Sequence, residues 1–539
     1  MAAKRQQQHA SGAFHVPSAL SGFSVGAVIT LLATVMVVDG DSPLNARNTD
    51  SAAGAGYEEV YDDPADIAVG PEGATGGPTG GRRRVTSGNG GTSGGGEADT
   101  GQGAGSSSGG VSFGGNGTGG GGNAGGSKGS CDKSGTNAPG VSDSSIKLGA
   151  TVAEGGVAES FLGEVRQAME AVRNRVNAAG GICGRKLEIS YKNDDWDPGR
   201  GKAAIENLIV QEKVFALAVS PSSEGVNAAS EAGTFEKYKV PVVGTDGLIR
   251  TQYSDPYIWP VATATTTTAH IIMKEAWDRG AREPAIVFEN TYRFGVEGAL
   301  AFNNAYKRLS GKNIPGFYDP TSGGSGACAQ RFCGIPASDQ TAGYTTEVNS
   351  LNASCGQTCD FMVLLLEPKT AQTWMGTPGA KRPTNLAKGM AAAQPLFTYA
   401  FGVQCGDTCD DLKVWTGYKP YIEQFRNDPA VAQYVKDLKA QKASADEFNQ
   451  FTQGGYLGMQ LLVEALERVG GRLSREALVE TLDSMELDTG LSPPLKWSKG
   501  NHFANPAAQA FSFESKNGFK GFRFYKGFVT DPWLGQDAG

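Results

Sequence analysis

SDSSIKLGATVAEGG at 142–156, NAAGGICGRKLEISYKNDDWDP at 177–198, FALAVSPSSEG at 215–225 and VPVVGTDGL at 240–248 follow one plan. In each, a short apolar run rich in Val, Ile and Leu closes in a polar loop bearing Gly, Ser or Asp. Between them lie stretches with helical spacing, of which Phe161, Leu162, Val165, Met169, Val172 and Val176 form the clearest apolar stripe. Such a stripe is core rather than a cofactor box. Strand, helix, strand, helix in this order predicts an α/β fold with a parallel sheet, because parallel neighbours need a long crossover between them. The functional loops of such a sheet gather at the carboxyl ends of its strands.

The chain has 539 residues and a formal net charge of -8, which argues against nucleic acid as partner. Only about 400 residues have the composition of a folded core. Residues 1–15 carry Lys4 and Arg5, and 16–38 contain an uncharged run from Leu20 to Val38 followed by Asp39 and Asp41. Nineteen such residues suffice to cross a bilayer, with the basic flank in the cytoplasm. A cleaved signal peptide is the competing reading, but no small-x-small site closely follows the run, and no adjoining cysteine suggests a lipid anchor. The expectation is a cytoplasmic tail, a single-pass membrane anchor and everything else outside.

Residues 39–142 are rich in Gly, Ser and Thr and poor in large apolar side chains, so they read as a disordered tether. About 100 flexible residues span roughly 50 to 60 Å on average, enough to hold a domain off a membrane. Arg82, Arg83 and Arg84 read as a solvated charge cluster, with contact to an anionic wall polymer or lipid as the alternative. No Gly-Lys-Ser/Thr follows the glycines, so they are no phosphate loop.

Eight cysteines in an extracytoplasmic chain favour disulfides. Cys328 with Cys333, Cys355 with Cys359 and Cys405 with Cys409 are close in sequence, leaving Cys131 and Cys183 as the long-range couple. The repeated CGQTC and CGDTC also suit a metal, but the four histidines are distant in sequence from these cysteines. Position argues likewise. Cys359 precedes a strand at Phe361–Leu366 and Cys405 follows one at Phe397–Tyr399, which sets the two pairs at opposite sheet ends.

Taken in order, a strand, a long helix, AAGGICGRKLE, DDWDP, a Ser-rich turn and VPVVGT, with LKWSKGNHFANPAAQAFSFE at 495–514, resemble extracytoplasmic solute-binding proteins of the leucine/isoleucine/valine-binding type. The resemblance runs from about Asp143 to the C-terminus. It implies the type I periplasmic-binding-protein fold, two Rossmann-like lobes joined by a hinge that close on a small solute, and an ABC permease as partner, with no cofactor. On that basis 143–539 divide into lobe 1 at about 143–260 and 410–500, and lobe 2 at about 261–409 with a C-terminal contribution. Crossing is expected near Tyr257–Val261, a Gly-rich surface insertion at about 321–343, and returning helices at about 429–442, 448–469 and 474–485.

The ligand contacts follow from these strand ends. Ser222 and Ser223 stand where a helix begins, so their hydroxyls lie beside free backbone N–H groups, either as a cradle for a polar group or as a plain N-cap. Thr245, Asp246 and Gly247 end the next strand, where the resemblance implies ligand contact and a simple turn is the alternative. Trp196, after the second strand, and Tyr292, Arg293 and Phe294 in lobe 2 are aromatic or flanking candidates that also suit plain packing. Relatives that bind α-amino acids hold the ammonium with an acid after the strand placed here at Phe397–Tyr399, where this chain has Phe401. Glu367 is the possible substitute. Otherwise a buried ammonium lacks a partner at a cost of several kcal/mol, which favours a ligand with an apolar or aromatic body and one acidic or polar end.

Two functions remain: a tethered receptor feeding an ABC importer, or a surface sensor or adaptor using the same clamp without transport. An enzyme is a distant third, since within 143–539, the part expected to fold, no Gly-x-Ser-x-Gly, Walker or His-Glu-x-x-His motif is present.

Overall fold

A computed structural model describes residues 127–536 except 323–327, 329, 339, 357, 381–385, 442–448 and 517–518. The expected cytoplasmic tail, the anchor at 16–38 and the linker up to residue 126, with Arg82, Arg83 and Arg84, lie outside the described residues. Among the described residues no helix is long and apolar enough to cross a membrane.

Lobe 1 is built on five parallel strands, β1 (Ser145–Val152), β2 (Lys186–Asn193), β3 (Ala216–Ala218), β4 (Val242–Val243) and β5 (Ile258–Trp259), in the order β2-β1-β3-β4-β5. The crossovers are α1 (Glu159–Leu162), α2 (Val165–Ala178), α3 (Pro198–Val210), α4 (Ser223–Glu231), α5 (Thr234–Tyr238) and α6 (Thr251–Ser254). Helix α2 buries Val165, Met169, Val172 and Val176, the stripe read from the sequence. Helix α3 begins at Pro198, where a missing N–H costs nothing, and Asp197 caps it by accepting from the Arg200 amide.

Lobe 2 carries seven strands, β6 (Pro284–Glu289), β7 (Phe332–Ile335), β8 (Phe361–Leu365), β9 (Met390–Ala392), β10 (Lys413–Thr416), and two that return late in the chain. Its helices are α7 (Thr265–Asp278), α8 (Arg293–Ser310), α9 (Thr345–Cys355), α10 (Pro368–Gly376) and α11 (Tyr399–Cys405). The chain then goes back to lobe 1 with α12 (Pro429–Ala440), α13 (Gln450–Val469) and α14 (Arg475–Leu482), whose apolar faces join the α2 core. A short pair, β11 (Glu486–Leu487) and β12 (Leu495–Lys496), precedes β13 (Ala507–Lys516) and β14 (Phe519–Thr530). The last two add antiparallel to lobe 2, giving the order β14-β13-β10-β9-β8-β6-β7.

Three crossings lie side by side as the hinge. Thr263 donates to the Ala507 carbonyl, Asn505 to that of Gly417 and Gln509 to that of Tyr418, so the segments near 263, 417 and 506 are tied together. Helix α13 comes right up to the end of β4 because Gly244 and Gly458 meet backbone to backbone, and a Cβ on either would overlap the other.

Four expectations need correction. Residues 127–142 belong to the domain rather than the linker: Gly129 donates to the Glu467 carbonyl and Cys131 is bonded to Cys183. The supposed insertion at 321–343 contains β7, a fully buried edge strand. The strand at Phe397–Tyr399 does not form, since Thr398 caps α11 instead, and the strand of that region is β9. Residues 413–416, assigned to lobe 1, are β10 of lobe 2.

All eight cysteines are paired, Cys131–Cys183, Cys328–Cys333, Cys355–Cys359 and Cys405–Cys409. The reasoning from opposite sheet ends fails, however. Cys359 precedes β8 and Cys409 precedes β10, and these strands run parallel through β9, so both pairs sit at the same end.

Candidate functional site

In lobe 1 the loops after β2, β3 and β4 carry Asp194 to Trp196, Ser220 to Ser223 and Gly244 to Gly247. In lobe 2 the corresponding loops carry Asn290 to Phe294 after β6, Glu367 after β8 and Gln394 after β9. The two sets meet. Trp196 stacks on Tyr292 with centroids 4.1 Å apart and lies 6.1 Å from Phe294, while Phe161 meets it edge-on at 5.3 Å. Phe451, at the start of α13, packs on Phe161 at 5.2 Å. Phe294 is fully buried within the lobe 1 core although it belongs to α8 of lobe 2.

The lobe 1 loops reach this position through left-handed backbone. Asp195, Trp196, Val219 and Ser220 all have positive φ, at 50°, 59°, 62° and 43°. This region is unfavourable for non-glycine residues and most of all for β-branched Val219. Such strain persists only where surrounding contacts hold it, and it concentrates at ligand clamps.

The polar groups form one connected set. The Trp196 indole N–H donates to Ser223 Oγ at 3.2 Å. The Ser223 hydroxyl also supports the Asp246 carboxylate, which accepts from Gln252 Nε2 at 2.7 Å. Burial raises the Asp246 carboxyl to about 7 in spite of these bonds. Asp194 accepts from the Trp196 amide at 2.9 Å, with the Ser222 and Thr151 hydroxyls beside it, and burial raises it to about 6. Ser222 is the N-cap residue of α4, yet its side chain makes no cap bond, so the plain N-cap reading fails. The Thr245 hydroxyl is buried and has no hydrogen-bond partner among the described residues.

Three sequence candidates are placed elsewhere. Gly247 has a φ of 63°, donates its N–H to Gln252 and gives its carbonyl to Tyr253, so its backbone is engaged in a turn. Phe401 lies in the lobe 2 core with Phe397 and Phe513, because its assumed strand is helix α11. Glu367 is fully buried and caps α10, one oxygen accepting from Lys369 N at 2.6 Å and the other from Thr370 N. Its backbone N–H donates to Glu289 Oε2 at 2.8 Å, and burial raises both carboxyls.

The residue that does follow the lobe 2 strand is Gln394, which donates Nε2 to the hinge carbonyl of Thr263 at 2.6 Å. Sequence reasoning passed over it because β9 has only three residues, Met390 to Ala392, with no β-branched side chain among them. Tyr418 and Gln450 also escaped notice. They border a small cavity at the hinge beside Asp246 and Pro221, with about 10 Å³ open to water. Outside it, a groove of about 620 Å³ follows the seam between the lobes, bordered by Asn227, Arg250, Tyr292, Arg293, Glu297 and Asn304.

The profile of the family described as periplasmic binding protein matches residues 145–331 and 387–518, more than half of the chain. A Leu/Ile/Val-binding protein homolog 3 of Brucella melitensis is 21% identical over 384 residues, covering 69% of this chain and 92% of that protein. Among solved structures, a fatty acid ABC transporter substrate-binding protein from Thermomonospora curvata superposes with a TM-score of 0.60 at 17% identity, over 75% of this chain and 96% of that one. A solute-binding protein of an ABC transporter from R. palustris, in complex with 4-hydroxybenzoate, gives 0.59 at 18% identity, over 73% and 100%. The two-lobe fold is thus shared with these solved structures, and the chain belongs to the periplasmic binding protein family.

Proposed function

We propose that this protein captures a small organic solute between its lobes and presents it, from a membrane tether at 16–126, to an ABC permease. The observation that carries the reading is the meeting of Trp196 and Ser223 of lobe 1 with Tyr292 and Phe294 of lobe 2 at the carboxyl ends of both sheets. Opening at the hinge parts these aromatic faces, and a flat or flexible apolar body enters between them. Ser222, Ser223 and Thr245 take its polar end.

The solute class follows from charge. Glu367 faces its own helix and the position after β9 is the neutral Gln394, so neither offers a free carboxylate to an α-ammonium. Burial raises Asp246 to about 7 and Asp194 to about 6, so near neutrality Asp246 carries a proton part of the time and can share it with a hydroxyl or carboxyl partner. The reading is an aromatic or aliphatic acid, in line with the 4-hydroxybenzoate and fatty acid named for two relatives.

Titration calorimetry against 4-hydroxybenzoate, a straight-chain fatty acid and isoleucine tests it. Binding is expected for an acid without an ammonium. Ser223→Ala removes a hydrogen bond to a charged or polar group, about 1.5 to 3 kcal/mol, and Phe294→Ala costs a comparable amount through lost apolar burial. Unchanged affinity in both variants would place the pocket elsewhere.

A further inference from the structure

Two helices at the seam between the lobes are left uncapped by their own residues. Helix α8 of lobe 2 starts after Tyr292, which provides no side-chain cap, and α6 of lobe 1 starts after Arg250, which provides none either. Each is completed by the other lobe. Glu224, in the first turn of α4, accepts from the Arg293 backbone N–H at 3.0 Å. Glu297, one turn into α8, accepts from the Arg250 backbone N–H at 2.8 Å.

The Arg293 side chain joins the exchange. Its guanidinium bonds Glu231 of α4 in lobe 1 and, at 3.2 Å, Glu297 of its own helix. Glu224 and Glu231 are seven residues apart and so lie on one face of α4, two turns from each other. Glu224 is only 9% exposed. A carboxylate this enclosed is held in place by what it accepts, and here that is a helix end of the opposite lobe.

We infer that Glu224 and Glu297 are reciprocal caps across the lobe seam, made only when the lobes meet, and that with Arg293 they set the population of the closed form. In the open form each helix end and each carboxylate returns to water, so the latch biases closure modestly rather than locking it. The inference rests on the opening and closing clamp proposed above. It concerns positioning residues, since none of the three needs to touch the solute.

Hydrogen–deuterium exchange of the whole chain, with no solute added, tests it. Peptides spanning 248–253 and 291–296 report the Arg250 and Arg293 amides, and one spanning 361–365 in β8 reports the intact fold. Loss of one cap is expected to speed exchange by about fivefold. The deciding feature is where this occurs. Glu224→Ala must accelerate the Arg250 amide, which Glu224 does not touch, and Glu297→Ala must accelerate the Arg293 amide, because the two caps break together when the lobes part. Acceleration only at the amide each glutamate itself contacts, or none at all, overturns the latch. If either alanine variant also loosens β8, Glu224→Gln and Glu297→Gln replace it. These keep an acceptor and are expected to give smaller increases at both amides, and an increase at one alone again overturns the proposal. Since no solute is present, failure of the calorimetric panel leaves this result intact, and failure of the latch leaves the clamp intact.

Discussion

Asp246→Asn gives the most direct check on the electrostatics of the clamp. In the folded protein the Asp246 carboxyl is raised from its ordinary 3.8 to about 7, with burial as the main cause. Between those two values the folded chain holds a proton that the unfolded chain has released. Its contribution to stability is therefore full below about pH 4 and is lost as the pH rises through 7. At about 1.4 kcal/mol per unit, the carboxylate costs on the order of 4 kcal/mol at pH 8 relative to pH 4. Asparagine keeps the acceptor for Gln252 Nε2 and the Leu248 amide and carries no titrating proton. Urea unfolding of wild type and variant at pH 4.5, 6 and 8 is the assay, and the difference between the two proteins removes the other titrating groups to first order. The variant should match wild type at pH 4.5 and exceed it by a few kcal/mol at pH 8. A difference that is flat across this range, or one that grows toward acid, would refute the reasoning.

Removing the Cys131–Cys183 bond by a double serine substitution should cost about 4 kcal/mol, from the 52-residue separation it closes, and non-reducing peptide mapping should recover all four pairs, with free thiols or bound zinc as the contrary result. Glu367→Gln should leave the affinity for an acid without an ammonium within about twofold, because Glu367 is occupied with the start of α10, and a loss of tenfold or more would show that the carboxylate reaches the solute. Protease added to intact cells should digest or release the domain if 16–38 anchor it outside, and protection lost only on lysis would contradict that topology.

Much of lobe 1 was legible in the sequence because its strands alternate with amphipathic helices and end in polar turns, so β1 to β4 and the loops at Trp196, Ser223 and Asp246 could be placed from pattern alone. Lobe 2 was harder. β9 is three residues long and contains two alanines, whereas FTY at 397–399 has strand-forming side chains but follows Pro395 and leads into the Thr398 cap, so local propensity pointed to the wrong segment. That single displacement carried Phe401 into a supposed pocket and hid Gln394. The glycine run before β7 similarly masked a strand whose four residues, Phe332 to Ile335, are buried by tertiary contacts rather than announced by their flanks. Contacts across the lobe seam, such as Tyr292 on Trp196 or Glu224 on the Arg293 amide, join residues more than sixty positions apart and leave no local trace.

The Cys131–Cys183 staple also determines how tension would travel through the molecule. From residue 127 the chain reaches Cys131 and from there, through sulfur, the turn that feeds β2. A pull on the N-terminus therefore bypasses residues 132–182, so β1, which lies inside the sheet between β2 and β3, cannot be peeled away first. Beside the bond, Gly129 and Gly471 exchange backbone contacts with Glu467 and Ser130, and Arg185 grips the carbonyls of Ser142 and Gly471, spreading the force into the end of α13. These attachments lie at the pole of lobe 1 opposite the strand ends that hold Trp196 and Ser223. A pull applied at residue 127 is thus taken up by the back of one lobe, away from the hinge and the second lobe.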